Sequence, residues 1–363
     1  MSFSFNFDVH AQSVSPEDVG ESNVKTDKAD IAAKHSTDDS PAAENIKEAA
    51  EHCPPSDPES LLGDAVSETV TVGTLPPLLF LNETVLEKTA SEREDEEKIL
   101  SRTADQRSDL ISGVYEGGLK VWECTYDLLE WVDSDGETFG DKSVLDLGCG
   151  AGLLGILALK RGASKVHFQD YNSTVIKQLT LPNVLLNCQE DGPEEEDGGS
   201  DSDGEGKGHG KSQNYSEKGK GGENQNEDLK DGAPPVKKRL TEPPQHSALL
   251  ARCRFYSGDW TTFLALVVKD EPPPKYDIIF TSETIYNTAY YPSLHETLQK
   301  LLALDGVVYL ATKAHYFGVG GGLHLFEQFV EQQGIFSLHH LWDVEEGLKR
   351  HVVGLRFKTG KTT

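Results

Sequence analysis

Between Ser143 and Gly155 the chain reads Ser-Val-Leu-Asp-Leu-Gly-Cys-Gly-Ala-Gly-Leu-Leu-Gly. Up to Leu147 this is an apolar run whose single charge is Asp146, the pattern of a strand covered on both faces; Leu153 to Arg161 then has the pattern of a helix. In the connecting turn Gly148, Gly150 and Gly152 let the backbone approach a ligand where any Cβ would collide. The first-turn amides of the helix point at whatever the glycines admit, so the segment reads as a nucleotide-cofactor loop in an α/β fold.

Two cofactor classes fit this turn. Gly150, Gly152 and Gly155 satisfy G-x-G-x-x-G, and Asp170 closes the next strand at the distance that nicotinamide dinucleotide binding requires. Asp146 and Gly148 weaken that reading, because a carboxylate ahead of the first glycine has the wrong charge for a diphosphate. It suits S-adenosyl-L-methionine, which carries an ammonium group and no phosphate. The methionine end would lie on Gly148, Gly150 and Gly152, and Asp170 would accept from the ribose hydroxyls. A tight turn without any ligand is the bland alternative.

Asp146 to Gly152 followed by His-Phe-Gln-Asp-Tyr-Asn, His167 to Asn172, resembles the seven-strand methyltransferases. Four further segments resemble the eukaryotic protein-histidine N-methyltransferases of the methyltransferase-like eighteen type: Gly117 to Thr125, Leu181 to Val184, Ser257 to Trp260 and Thr281 to Asn287. The likeness runs from about Gly113 to the C-terminus. It implies a doubly wound, mostly parallel seven-stranded sheet, Rossmann-like, ending in a β-hairpin.

In such a sheet ligands sit beyond the carboxyl ends of the strands. Tyr171 there could flank the adenine, Asp259 accept from its amino group and Trp260 pack on the ring. With the resemblance added, the expected cofactor set is Val121, Trp122, Glu123, Cys124, Thr125, Asp146, Gly148, Gly150, Gly152, Gln169, Asp170, Tyr171, Gly258, Asp259, Trp260 and Ser282. Glu283 and Tyr286 follow the fourth strand and are the expected catalytic pair, one of them binding the acceptor ring. The resemblance also implies a basic substrate, a histidine of a large-subunit ribosomal protein methylated at its tele nitrogen, with a role in ribosome biogenesis or translation. It implies residence in nucleus, nucleolus and cytoplasm. A lysine methyltransferase of the same fold and a non-catalytic partner-binding domain are the alternatives.

Strands are expected at Ser143 to Leu147, Lys165 to Asp170, Cys253 to Ser257, Tyr276 to Phe280 and Gly306 to Ala311. Helices are expected at Tyr291 to Leu302 and Leu323 to Gln333, and Phe336 to Val344 with His351 to Lys358 read as the hairpin. The chain's 363 residues are 36% hydrophobic and 26% charged, enough for one catalytic domain but not for uniform packing. The domain is therefore expected at 83–363, with a largely disordered acidic region at 1–82 and a disordered insertion at 190–246. Leu75 to Leu81, short and apolar, is expected to dock on the domain, and Gly318 to Gly322 reads as a mobile loop.

A net charge of −27 disfavours direct nucleic acid binding and favours a basic protein partner. No apolar run is long enough to cross a membrane. Pro234 to Leu240, with Lys237, Lys238 and Arg239, is a candidate nuclear import signal. The 5 cysteines are scattered without C-x-x-C spacing, as for reduced thiols. The 12 histidines show no metal-ligand spacing, so no metal is expected, and the chain is expected to be a monomer.

Overall fold

The structure is a computed structural model in which residues 46–55, 61–62, 66–82, 97–99, 102–103, 109–188 and 245–359 are described. The glycine-turn segment folds as its pattern requires. Strand β4 (Ser143–Leu147) runs into the turn, and α2 (Leu153–Lys160) leaves it, after α1 (Glu123–Asp135) upstream. Next come β5 (Lys165–Asp170), α3 (Ser173–Val175), a π-turn at Ile176–Thr180 and α4 (Leu181–Cys188). The chain continues through α5 (Gln245–Leu250), β6 (Cys253–Ser257), α6 (Trp260–Val267) and β7 (Tyr276–Ser282). It ends with α7 (Tyr291–Leu301), β8 (Leu302–Lys313), α8 (Leu323–Gln333), β9 (Phe336–Val344) and β10 (Arg350–Phe357).

Strands β4 to β8 pair in parallel, and β10 and β9 close one side antiparallel. Side chains alternate between two cores, one on each face. Val144, Ile278, Phe280, Val307 and Tyr309 face one core; Leu145, Ile279, Val308 and Leu310 face the other. Such two-sided burial explains the unbroken apolar runs of the central strands. The chain steps from β4 to β5 and β6 on one side and to β7 and β8 on the other, so the order reverses at β4. The crevice therefore opens at the carboxyl end of β4, above the glycine turn.

The sheet has 8 strands rather than seven. The eighth is β1 (Ala50–His52), which pairs antiparallel with the edge strand β6. A second sheet is the hairpin of β2 (Ser67–Val70) and β3 (Leu78–Leu81). The ordered domain thus reaches upstream of residue 83, into the region expected to be disordered. The polar composition hid β1 because its side chains are exposed or half-buried; backbone pairing holds it rather than an apolar stripe. Leu75 to Leu81 docks as expected. Leu75, Leu78, Phe80 and Leu81 are buried, and Leu81 N and Leu79 N donate to the Asn183 and Asn187 side chains at 2.8 and 3.0 Å. Helix α5 starts inside the expected insertion; the rest of that insertion, with Pro234 to Leu240, lies outside the described residues, as does 1–45.

Two local departures from regular packing stand out. Against β10, Trp342 pairs with Val352 and His340 with Val353, so Leu341 is an extra residue that forms a β-bulge. The second is the close approach of α2 to β5, where a Cβ on Gly155 would stand 2.3 Å from the Phe168 ring. Gly155→Ala is therefore expected to lower stability by about 1–3 kcal/mol or more. Gly140→Ala, at a position with open space around it, should stay within about 0.5 kcal/mol. Urea denaturation of both variants checks this; equal stabilities would refute the close helix–sheet approach.

Candidate functional site

At the end of β5 the buried Asp170 carboxylate accepts from Gly150 N and Asn172 N, both at 3.0 Å. A third segment closes on it, since a Cβ on Gly118 would meet Asp170 Oδ2 at 2.8 Å. A Cβ on Gly150 would in turn meet Gly118 O at 3.0 Å. Thr180, in the π-turn, donates to Gly150 O at 2.7 Å, and Asn183 Nδ2 donates to Ala151 O at 2.9 Å. The turn is thus held from below by side chains and left bare above, where it faces a cavity of about 620 Å3. That volume lies within the roughly 300–1,000 Å3 of small-molecule sites.

Of the expected cofactor residues, Val121, Trp122, Thr125, Gly148, Gly150, Asp170, Tyr171, Gly258, Asp259, Trp260 and Ser282 line this cavity. Glu123, Cys124, Asp146, Gly152 and Gln169 do not, and each has a structural task behind the wall. Asp146 Oδ2 accepts from Gly155 N at 2.9 Å, fixing α2 to β4. Gly152 is the left-handed N-cap of α2, packed on Thr180 and Phe168. Gln169 donates to Gly258 O at 2.9 Å and accepts from Trp260 Nε1 at 3.0 Å, which sets the indole. Glu123 lies 3.9 Å from Arg350, which pairs at 2.6 Å with Asp127; Cys124 is fully buried in the core.

Asp259 caps α6 through Thr261 N at 2.7 Å, and Tyr171 donates to Gly113 O at 2.9 Å. Over this end pass Ile46 and Lys47, with Lys47 Nζ 4.7 Å from the centre of the Tyr171 ring. Gly258, at φ +120°, is required there because a Cβ would come within 2.5 Å of Ala49 Cα. Cys149 also lines the cavity, but burial raises its thiol pKa, in keeping with a small loop residue rather than a nucleophile.

The opposite wall comes from the segment after β7. Glu283 takes up φ +58°, a left-handed conformation that a non-glycine residue rarely adopts and that often marks a functional site. Its carboxylate lies 3.3 Å from Lys313 Nζ, and both side chains are buried. Lys313 also stands over Trp122, 5.2 Å from the ring centre. Glu283 thus lines the cavity as half of a buried ion pair, whose disruption typically costs about 3–5 kcal/mol, and neither of its oxygens is hydrogen-bonded among the described residues. Tyr286 instead donates to Glu116 Oε2. Glu116 Oε1 accepts from Tyr290 at 3.1 Å and from Gly113 N at 2.6 Å.

Glu116, Tyr290 and Lys313 were not legible as site residues, for each comes from a segment without a motif of its own. Burial raises the pKa of Glu116, opposed by these donors. Gly318 to Gly322 is no free flap, since Gly321 N donates to Tyr286 O at 2.8 Å and Cβ atoms on Gly321 and Gly322 would strike backbone at 2.3 and 2.5 Å. Phe317 beside it is 66% exposed at the cavity wall.

A parallel sheet reversing at β4, a bare glycine turn, a buried carboxylate beside it and a terminal antiparallel hairpin frame the site, and residues 126–349 match the methyltransferase domain family, which makes the chain a methyltransferase. The cofactor is S-adenosyl-L-methionine, as for that family. The chain is 43% identical over 315 residues to the histidine protein methyltransferase 1 homolog of Bos taurus, a match covering 86% of this chain and 74% of that protein. It is 42% identical over 348 residues to the Mus musculus homolog, covering 95% and 83%, and 34% identical over 266 residues to that of Dictyostelium discoideum, covering 73% and 64%. The chain belongs to the histidine protein methyltransferase 1 family.

Burial raises the pKa of Asp146 to about 7 and of Asp170 to about 6. A folded-state pKa above the unfolded value means that the fold binds the proton more tightly. Each carboxyl therefore contributes a destabilisation that grows as pH rises from about 4 and is complete above its folded pKa. Asp146→Asn keeps an oxygen for Gly155 N and removes the charge. Its stability relative to the parent should rise between pH 5 and pH 8, by roughly 1.4 kcal/mol for each pH unit up to the folded pKa. Urea denaturation of the cofactor-free protein reads this. A pH-independent difference would show that Asp146 does not titrate in this range.

Proposed function

We propose that this enzyme methylates the ring of a histidine in a basic protein, a large-subunit ribosomal protein. The observation that carries the reading is the Glu116 carboxylate, held at the cavity wall by two tyrosines. An ionised carboxylate offers about four lone-pair sites. Gly113 N and Tyr290 occupy Oε1, and Tyr286 occupies one site of Oε2, which leaves Oε2 able to take one more donor. An imidazole N–H is such a donor.

When bound, the cofactor supplies an electrophilic methyl group on a sulfonium. What the chain must supply is aim. With its pi nitrogen held by Glu116, the ring turns its tele nitrogen, with a free lone pair, into the cavity. The new N–C bond forms as the methyl's bond to sulfur breaks, and the positive charge that the ring gains lies against Glu116. A free imidazole has a pKa of about 6.5, so most of it is neutral at physiological pH and no strong base is needed. Tyr286 packs edge-on against Tyr290 and Tyr316, with ring centres 5.9 and 6.3 Å apart, which fixes the carboxylate by fixing its donor. Glu283, the other expected catalytic residue, also lines the cavity, beside Lys313.

The net charge of −27 favours a basic partner by long-range attraction. The exposed Phe317 at the rim offers an apolar contact to a peptide. A ribosomal acceptor also fits residence in nucleus, nucleolus and cytoplasm, with Pro234 to Leu240 as the import signal. The names of the relatives favour histidine over lysine. Incubating the enzyme with labelled S-adenosylmethionine and ribosomal extract, with excess S-adenosylhomocysteine as the inhibited control, tests the proposal by amino acid analysis. The expected result is label in tele-methylhistidine of a large-subunit protein. Label in methyllysine would overturn the acceptor, and label confined to non-ribosomal proteins would overturn the substrate.

A further inference from the structure

Far along the sheet from the glycine turn, the terminal hairpin brings three side chains with metal-ligating atoms together. On a regular strand His340 and Asp343, three positions apart, point to opposite faces. The bulge at Leu341 reverses this. Leu338 faces the α8 side of the sheet and His340 follows it, whereas Trp342, one residue past the bulge, packs in the core of the α1 side with Val352. Asp343 is thereby returned to the α8 side, opposite His351, its cross-strand partner. Because strict alternation fails at this one residue, sequence spacing conceals the cluster.

The geometry points to a binding site for a zinc-class divalent ion formed by His340, Asp343 and His351. One ligand atom from each lies within 4.8 Å of the others. His351 Nδ1 is 2.6 Å and His340 Nδ1 3.7 Å from Asp343 Oδ1, and the two imidazole rings are perpendicular with centres 5.6 Å apart. Ligands of a tetrahedral ion with bonds of about 2.0–2.1 Å stand roughly 3.3 Å apart, so a small rotation of the half-exposed Asp343 side chain would open the site to size.

A carboxylate also stands behind one of the ligands. His340 turns its other nitrogen, Nε2, to Glu327 Oε1 on α8 at 2.6 Å, the carboxylate–histidine pairing that orients metal-bound imidazoles. Two imidazoles and one carboxylate suit zinc and its late first-row neighbours; magnesium and calcium require more oxygen. The hairpin also carries Leu348, which lines the cavity, and Lys349, whose carbonyl accepts from Ala314 N at 2.8 Å. An ion here would brace one wall of the methyl-transfer site without touching the reacting atoms.

Co2+ titration of the full-length, chelator-stripped protein, followed by its visible absorption and by Zn2+ competition, tests the site. The expected result is a saturable ion whose affinity falls at least tenfold in His340→Ala and in His351→Ala. Glu327→Gln is expected to weaken it by about tenfold or more through lost orientation. His351 is buried, so the exposed His340→Ala decides should the other variant fail to fold, with unchanged S-adenosylhomocysteine binding as the check on folding. Absence of a saturable ion, or an affinity that His340→Ala leaves unchanged, would overturn the assignment.

Discussion

Two backbone amides converge on the Asp170 carboxylate, and most of the site's geometry depends on that convergence. Gly150 N fixes the height of the glycine turn above β5, and Asn172 N fixes the start of the next helical segment. Gly118 fits against the same oxygens only because it has no Cβ. Three pieces of chain distant in sequence are thereby held around a single buried charge. The arrangement is unfavourable by itself, as the raised pKa records. It becomes favourable when a ligand adds donors to the carboxylate, which gives a physical reason for the bare cradle above it.

The other wall follows from a similar burial of charge. Glu283 lies beside Lys313 with neither carboxylate oxygen hydrogen-bonded among the described residues, Glu116 accepts from two tyrosines, and the backbone of Tyr286 is anchored by Gly321. Both carboxylates line the cavity, Glu116 held by three donors and Glu283 by its lysine. The two differ in their partners: a lysine stands beside Glu283, whereas hydroxyls and a backbone amide donate to Glu116. Glu116 lies close to Asp170 and Tyr171, and Lys47 stands over the Tyr171 ring.

Much of the fold could be read from the chain. The central strands and their helices announce themselves because a sheet buried on both faces demands unbroken apolar runs, and the bounds of β4, β5, β6, α8 and β9 agree with that reading. Strand β1 could not be read, since an exposed edge strand relies on backbone bonds that leave no side-chain pattern. In the site, glycines and strand ends pointed to Gly148, Gly150, Asp170 and Tyr286, all of which line the cavity. Asp146 and Gln169 show the limit of that logic: residues in a cofactor motif can serve by holding its backbone rather than by meeting the ligand. Glu116 was invisible for the converse reason. Its importance lies in Tyr286 and Tyr290, roughly 170 residues away and brought to it only by the fold.

The proposal gives two carboxylates of one cavity different partners, Glu116 the acceptor and Asp170 the cofactor, and Glu116→Gln tests it directly. The measurement is single-turnover methylation of a histidine-bearing substrate by the variant, paired with calorimetric binding of S-adenosylhomocysteine. The expected result is a rate lower by on the order of a hundredfold, as for a misaimed acceptor, with cofactor affinity within about twofold of the parent's. An unchanged rate, or parallel losses of rate and cofactor affinity, would contradict it.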